Sequence, residues 1–380
     1  MIQIKNPSSC SGCTACMAVC AHDAISMQPD ALGFKYPHVD VNRCVDCGLC
    51  EKICPFHHTH EQHGVLEKPI AFASRHKNID EIKSSRSGAT FVALSDYILD
   101  EGGAVYGAGF SERFEVIHKR ATTKEERDEF RGSKYVQSDL TNIFHSVKRD
   151  LQGGLKVLFS GTPCQIAGLK AFIGERLRGN LYLADIVCHG VASPSVWKDY
   201  LNFIEKKEKD RLVSVNFRDK NIFGWSGLHK ESFKFGHKGL RTYDYTFYNS
   251  YMLRRSCNAC VFANTHRPSD ITLGDFWGWE KVVPGFNADD RGVSLILCNT
   301  QKGIDLFNSV YSQLNVIPVK LEDCLQPNLI APTPIDANRD MFEMDYSRKG
   351  FKYVRKKYGE VGLRFQVKRI SRFVKRTLNI

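Results

Sequence analysis

Two cysteine runs constrain this chain more than any other feature. The first is Cys10-x2-Cys13-x2-Cys16-x3-Cys20 and the second is Cys44-x2-Cys47-x2-Cys50-x3-Cys54-Pro55. Each cysteine of the second run lies 34 residues beyond its counterpart, so the segment is an internal duplication. Steps of two residues wrap the backbone tightly around whatever the thiols hold. Fourteen cysteines in all could suggest a disulfide scaffold. That density belongs to small secreted domains, and a chain of 380 residues is not small.

A four-iron cubane needs four thiolates around a compact core. Three come from one C-x2-C-x2-C loop and the fourth from elsewhere. In two-cluster ferredoxins the last cysteine of each run ligates the other cluster. On that pattern Cys10, Cys13, Cys16 and Cys54 hold one [4Fe–4S] cluster, and Cys44, Cys47, Cys50 and Cys20 hold the other, with zinc as the alternative occupant. Ile25-Ser26-Met27 and Phe34-Lys35-Tyr36 flank a turn-rich stretch and read as a hairpin. Ala21 stands where ferredoxins usually carry proline, which weakens that turn without changing the ligands. His57, His58, His60 and His63 read as a solvated linker, because their spacing supports no metal site. Adjacent clusters make a wire, so a catalytic partner is expected in the remaining residues.

The body begins with the apolar strand candidate Ile70–Ala73. Ser84–Thr90 then opens a helix near Phe91–Leu99, whose small residues could expose backbone N–H groups to a phosphate. Ala104–Phe110 and Val116–His118 read as strands, and Arg131–Gln137 as a cationic loop carrying Tyr135. A βαβ unit follows: strand Lys156–Ser160, loop Gly161–Cys164, helix Gln165–Ile173, and strand Leu181–Val187 ending at Cys188-His189-Gly190. Parallel strands joined by one helix end on the same sheet edge, where open α/β sheets bind ligands. Cys164 and Cys188 are therefore expected to converge, and Cys257-x2-Cys260 precedes another strand, Asp270–Asp275. These four thiols could hold a third [4Fe–4S] cluster. Alternatively Cys164 is a lone thiol, and Cys257 and Cys260 bind zinc beside His266. Cys298 lies in an apolar strand and reads as core, and Cys324 has no partner at useful spacing.

These segments resemble the beta subunits of coenzyme F420-reducing hydrogenases and dehydrogenases with an N-terminal ferredoxin domain. The resemblance spans residues 1–335. It rests on Ser87-Gly88, Arg131–Ser138, Gly161–Gln165, Val187–Gly190, Cys257–Cys260 and Asp270–Gly278 in shared order. It implies an α/β (α+β) flavin-binding body behind a bacterial-ferredoxin-like α+β domain. It also implies FAD, a cluster within the body, and hydride exchange with a second redox partner. The boundaries expected are 1–62 for the ferredoxin-type domain, 68–145 for a flavin-binding region and 146–335 for a catalytic region. The flavin residues implied are Ser87, Gly88, Thr90, Arg131, Gly132, Ser133, Lys134, Tyr135, Gln137, Thr162 and Pro163. His189 and Lys134 are the candidates for catalysis, with a structural role for His189 equally open. The family often has Gly-Gly where this chain has Gly88-Ala89, a departure that bears on how closely a flavin phosphate approaches.

The resulting expectation is a flavin-dependent iron–sulfur oxidoreductase acting on a deazaflavin coenzyme or on another organic substrate such as a polysaccharide precursor. Its competitor is an electron-transfer subunit that serves a separate redox partner protein; a homo-oligomer is compatible with either. The first cysteine at position 10 leaves no room for an apolar signal core, and no run of 18 apolar residues occurs, so a cytoplasmic protein is expected.

The net charge of +11 is concentrated. Residues 346–380 hold twelve Lys or Arg against one acid, Glu360, which leaves residues 1–345 close to neutral and argues against a nucleic-acid partner. Apolar residues recur between the basic ones at helical spacing, with a helix expected near Leu363–Leu378. This basic amphipathic tail could contact the inner membrane surface, dock on the body or a partner, or remain disordered.

Overall fold

In the computed structural model, residues 1–57, 64–225, 232–233, 242–359 and 361 are described. The duplicated cysteine runs form two matching half-turns. Helix α1 (Ala15–Ala18) follows Thr14 at φ 67°, and helix α2 (Leu49–Lys52) follows Gly48 at φ 73°. Thr14 and Gly48 are counterparts in the duplication, so the same left-handed step wraps each loop. Between them lies the expected hairpin, strands β1 (Ile25–Pro29) and β2 (Lys35–Val39), paired antiparallel with Ile25 opposite Val39. The Asp30 carboxylate closes its turn by accepting the Leu32 and Phe34 N–H groups, each at 2.9 Å.

The body is built on one eight-stranded sheet. Its strands are β3 (Val65–His76), β4 (Ala104–Phe110), β5 (Val116–Ala121), β6 (Val157–Gly161), β7 (Leu181–Ile186), β8 (Ile271–Asp275), β9 (Ser294–Thr300) and β10 (Leu314–Val319). Their order is β10-β3-β9-β8-β7-β6-β4-β5. The four central strands β8, β7, β6 and β4 run parallel, and the outer pairings are antiparallel. The expected division at residue 145 therefore does not split the sheet: β4 and β5 from one side of it continue directly into β6.

Helices cover both faces, and the strand alternation decides which residues meet them. On one face Val157 and Phe159 pack with Phe144, Val147 and Leu151 of α4 (Ile143–Gln152) and with Ile166 and Leu169 of α5 (Pro163–Phe172). On the other, Leu158 packs with Leu94 and Ile98 of helix α3 (Thr90–Asp100). Cys298, on the fully buried β9, belongs to this second core, as its apolar run predicts.

The cysteine domain is not a loose appendage. Its hairpin tip reaches helix α6 (Pro194–Glu208), where Ser193 Oγ and Ser195 N donate to the Leu32 carbonyl at 2.5 and 3.2 Å. Leu32 and Phe34 are fully buried in a core shared with Trp197 and Tyr200. The same core receives helix α7 (Arg339–Tyr358), broken at Gly350, whose φ of 71° no other residue type adopts as cheaply. Tyr346, Phe351, Val354 and Tyr358 are buried there. Of the alternatives open for the basic tail over 346–380, docking on the body is the one its first part takes. These apolar positions face the body because Trp197, Tyr200 and Tyr243 supply the apolar surface they cover. The helix expected near 363–378 lies outside the described residues, as do His58, His60 and His63. Among the described residues no helix is long and apolar enough to cross a membrane.

Candidate functional site

Burial separates the cysteines of the first domain. Cys10, Cys13, Cys16 and Cys54 are buried and line one small hollow together with Ile2, Ile4, Met27 and Phe56. Burial pushes the Cys13 thiol up to about 12, with Cys10, Cys54 and Cys164 adding like-charge repulsion. Cys54 of the second run therefore stands with the first run, as crossed ligation requires. In the other set Cys47 is exposed, Cys44 and Cys20 are half-buried and Cys50 is buried. Backbone N–H groups point at their sulfurs: Ile2 to Cys50 at 3.3 Å, Ala24 to Cys20 and Asp46 to Cys44 at 3.4 Å. Cys20 shares an apolar cluster with Cys50.

The four body thiols also come together. Strands β6 and β7 are parallel neighbours with Gly161 opposite Asp185, so Cys164 and Cys188 leave the same edge. Burial raises the Cys188 thiol far above its usual value, with repulsion from Cys257, Cys164 and Cys260. Cys257 is pushed up to about 12 and Cys260 to about 11, again by burial first. The Val191 N–H donates to Cys257 Sγ at 3.4 Å, and Thr162 Oγ1 lies 3.2 Å from Cys164 Sγ. Arg267 holds the loop beyond Cys260 by donating to the Phe262 carbonyl at 2.6 Å and to the Ile186 carbonyl at 2.8 Å, while paired with buried Asp185. His266 is exposed and takes no part. Among the described residues no three His, Cys, Asp or Glu side chains close around a single-ion position. Crowded, buried thiols of this kind ionise only beside a strong positive charge, which suits a multi-iron core.

At the same sheet edge opens a cleft of about 480 Å³. Ser87, Thr90, Arg131, Gly132, Ser133, Lys134, Tyr135, Thr162, Cys188 and His189 line it. Three of the residues expected there do not. A Cβ on Gly88 would overlap the Ser74 carbonyl oxygen, so this glycine serves the packing of α3 on the sheet. Gln137 turns the other way and donates to the Ser11 carbonyl at 2.9 Å. Pro163 is buried as the first residue of α5. Ala89, where a second glycine was expected, has φ 66° and lines the cleft.

The cations of the Arg131–Gln137 loop are occupied locally. Arg131 pairs with Glu81 and Asp128, each at 2.7 Å. Lys134 Nζ donates to the Glu129 and Arg131 carbonyls at 2.6 and 3.0 Å, and burial lowers it to about 7. Unspent donors lie elsewhere. Arg218 pairs with Asp275 at the end of β8, yet its Nε and one Nη make no hydrogen bond, nor does Nε of Arg86, which lies 3.9 Å from Asp275 Oδ2. The Arg218 guanidinium also lies 5.2 Å from the ring centre of Trp277. His189 packs 5.3 Å from the Phe247 ring, and burial lowers its imidazole pKa while a hydrogen bond with Asn328 acts the other way. His118 Nε2 meets the Ser160 carbonyl at 3.0 Å, leaving Nδ1 without a partner. Orphaned buried donors and acceptors around one cleft fit a large polar ligand with anionic groups.

Residues 154–321 match the C-terminal domain of the coenzyme F420 hydrogenase/dehydrogenase beta subunit, and residues 9–58 match the 4Fe–4S dicluster domain. The chain thus joins a dicluster domain to a C-terminal domain of this beta-subunit family. Its dicluster segment is 32% identical over 63 residues to a ferredoxin of Alicyclobacillus acidocaldarius subsp. acidocaldarius, covering 17% of this chain and 74% of the ferredoxin. A solved chain of the F420-reducing [NiFe] hydrogenase complex from Methanosarcina barkeri is 15% identical. That likeness covers 79% of this chain and 94% of the other at a TM-score of 0.49. Iron–sulfur, oxidoreductase-type chemistry thus follows from the family and the dicluster domain. Arg86, Arg218 and Asp275 are the cleft residues that motif reading passed over. Asp275 could have been found by the rule that led to Cys188, since it also ends a parallel strand at the ligand-binding edge.

Proposed function

We propose that this protein is an iron–sulfur flavoprotein oxidoreductase, passing electrons between its dicluster domain and FAD in the cleft. The observation that supports it is the position of Cys188. This thiol lines the cleft at the sheet edge it shares with Cys164, and Gly168 of the helix that carries Cys164 packs against Cys13 of the dicluster domain. Cys54, which lines a hollow with Cys13, shares an apolar cluster with Cys50, so on this reading the thiol sets lead from the exposed Cys47 to the cleft. On this reading the sets are Cys20, Cys44, Cys47 and Cys50; Cys10, Cys13, Cys16 and Cys54; and Cys164, Cys188, Cys257 and Cys260.

When bound, the flavin supplies the conversion between one-electron and two-electron chemistry. The chain's own residues position it. The N-terminus of α3 at Ala89-Thr90, with Ser87, offers backbone N–H groups to phosphate, and Arg86 and Arg218 supply charge. His189, on the cleft wall, is the residue assigned here to hold or accept a proton on the substrate side. The substrate class proposed is an organic hydride acceptor or donor, a deazaflavin coenzyme or a sugar-type precursor. The functional division proposed is 1–62 for the wire, 68–145 for flavin contacts and 146–335 for the body cluster and catalysis.

Anaerobic reconstitution followed by denaturation tests the reading. A flavin spectrum near one per chain is expected in the supernatant. A colourless supernatant from fully iron-loaded protein would leave the electron-transfer subunit as the better description.

A further inference from the structure

Among the described residues four arginines are almost completely buried: Arg127, Arg254, Arg267 and Arg339. A guanidinium keeps its charge inside a protein, so each needs compensation. Three have a carboxylate: Arg127 with Asp96 at 2.6 Å, Arg267 with Asp185 at 3.2 Å, and Arg339 with Glu343 at 2.5 Å. No described carboxylate forms an ion pair with Arg254. Its Nε donates to the Cys10 carbonyl at 2.8 Å, and its two Nη donate to Gln137 Oε1 and the Lys35 carbonyl at 2.9 Å. One Nη also lies 3.7 Å from Cys10 Sγ, and the Tyr36 ring centre is 4.2 Å from the guanidinium.

Arg254 stands where the dicluster domain meets the body. It comes three residues before Cys257, and its Gln137 partner donates in turn to the Ser11 carbonyl. The Cys257 N–H donates to the Arg254 carbonyl at 3.0 Å, and Val191, whose carbonyl accepts the Arg254 N–H at 3.0 Å, donates its own N–H to Cys257 Sγ. None of its hydrogen bonds reaches Cys44, Cys47 or Cys50.

We infer that Arg254 is the counter-charge of the two clusters on either side of it and holds their reduction potentials up, an inference that rests on the cluster assignment above. Thiolate-ligated clusters are net negative, and a cluster that accepts an electron becomes more so. A fixed positive charge beside a ligand sulfur in a dry interior favours the reduced form. One residue thus acts on both members of the electron-transfer pair at the domain boundary. Arg254 is a tuning residue: it touches the ligand shell, not the substrate.

The test is an anaerobic redox titration of the reconstituted full-length protein, followed by electron paramagnetic resonance. Arg254→Gln should move two midpoints to lower potential, leave the third in place and keep the iron content of the wild type. Arg254→Lys, which retains the charge but not the fork of contacts, should bring both midpoints back toward the wild-type values. A residue that merely fastens the domains would not be rescued in this way. Gln137→Glu puts a carboxylate beside the guanidinium and should lower the same two midpoints, which keeps the test decisive if Arg254→Gln does not fold. Wild-type midpoints in both Arg254→Gln and Gln137→Glu would overturn the inference, as would an equal shift of all three in Arg254→Gln. Wild-type iron of about 8 rather than about 12 per chain would instead remove the body cluster, at four irons per cubane. The inference would then be decided by the Cys10, Cys13, Cys16 and Cys54 cluster alone.

Discussion

Gly168 leaves Cys13 the space it occupies: a Cβ on Gly168 would lie 2.8 Å from both Cβ and Sγ of Cys13. Helix α5 begins one residue before Cys164, so this contact sets one cysteine set against the next. Gly168→Ala should push Cys13 away and lower iron retention by one cluster, even though alanine is the better helix former by about 1 kcal/mol. Iron and sulfide analysis after anaerobic reconstitution checks this. Full iron content in the variant would show that Cys13 has room to move.

Changing Cys257 and Cys260 together to serine should remove one cluster's iron, from about 12 to about 8 per chain. The dicluster spectrum should persist, because neither residue touches that domain's ligand sets. Unchanged iron in a folded double variant would reject the body set.

Ala89 and Gly88 should respond in opposite ways to exchange. Ala89 sits at φ 66°, a region that costs a non-glycine residue about 1 kcal/mol, so Ala89→Gly should stabilise the protein by up to that amount. Gly88→Ala should destabilise it, because the new Cβ meets the Ser74 carbonyl. Denaturant titration under anaerobic conditions measures both.

His118 makes stability depend on acidity. Burial pushes its imidazole down to about 4, whereas an unfolded histidine titrates near 6.5. Between those values the unfolded chain binds a proton that the folded chain refuses. Stability therefore rises as pH climbs from about 4 to about 6.5, by about 3 kcal/mol from this group, and no further above it. His118→Gln should flatten the profile in that window alone, as followed by unfolding at fixed denaturant.

The C-terminal residues divide at Gly359. Truncation before Tyr346 removes Phe351, Val354 and Tyr358 from the core and should cost about 5 kcal/mol or more. Truncation after Gly359 leaves that core intact. It still deletes Arg364, Lys368, Arg369, Arg372, Lys375 and Arg376, which we propose as the membrane-surface contact, at about 1 kcal/mol per basic residue on an anionic bilayer. Thermal unfolding separates the two truncations. Liposome flotation tests the contact: equal flotation of the full-length and Gly359-truncated chains would exclude it.

The parts of this architecture legible in sequence are those encoded by local spacing. Ligand loops must be short, so Cys10–Cys20 and Cys44–Cys54 announce themselves. The Lys156–Val187 segment shows its strand–helix–strand period, and the right-handed crossover rule brings Cys164 to Cys188. What escapes is set by partners distant in sequence. Arg131 and Lys134 look like anion binders by residue type, but Glu81, Asp128 and nearby carbonyls already occupy them. Arg254 looks like one basic residue among several, and its meaning depends on Cys10, 244 positions away. The basic face of α7 suggests a free tail until Trp197 and Tyr200 provide a surface for its apolar side.

Burial grades the cysteines from Cys47 at the surface to Cys13, Cys16 and Cys54 inside. The chemical vulnerability of a cysteine follows its exposure and thiolate character. Peroxide or dissolved oxygen would therefore reach the outermost thiols first and spare the inner ones. On the proposed reading, damage would begin at the loop that carries Cys47 and interrupt electron transfer there before it reached the buried Cys10, Cys13, Cys16 and Cys54.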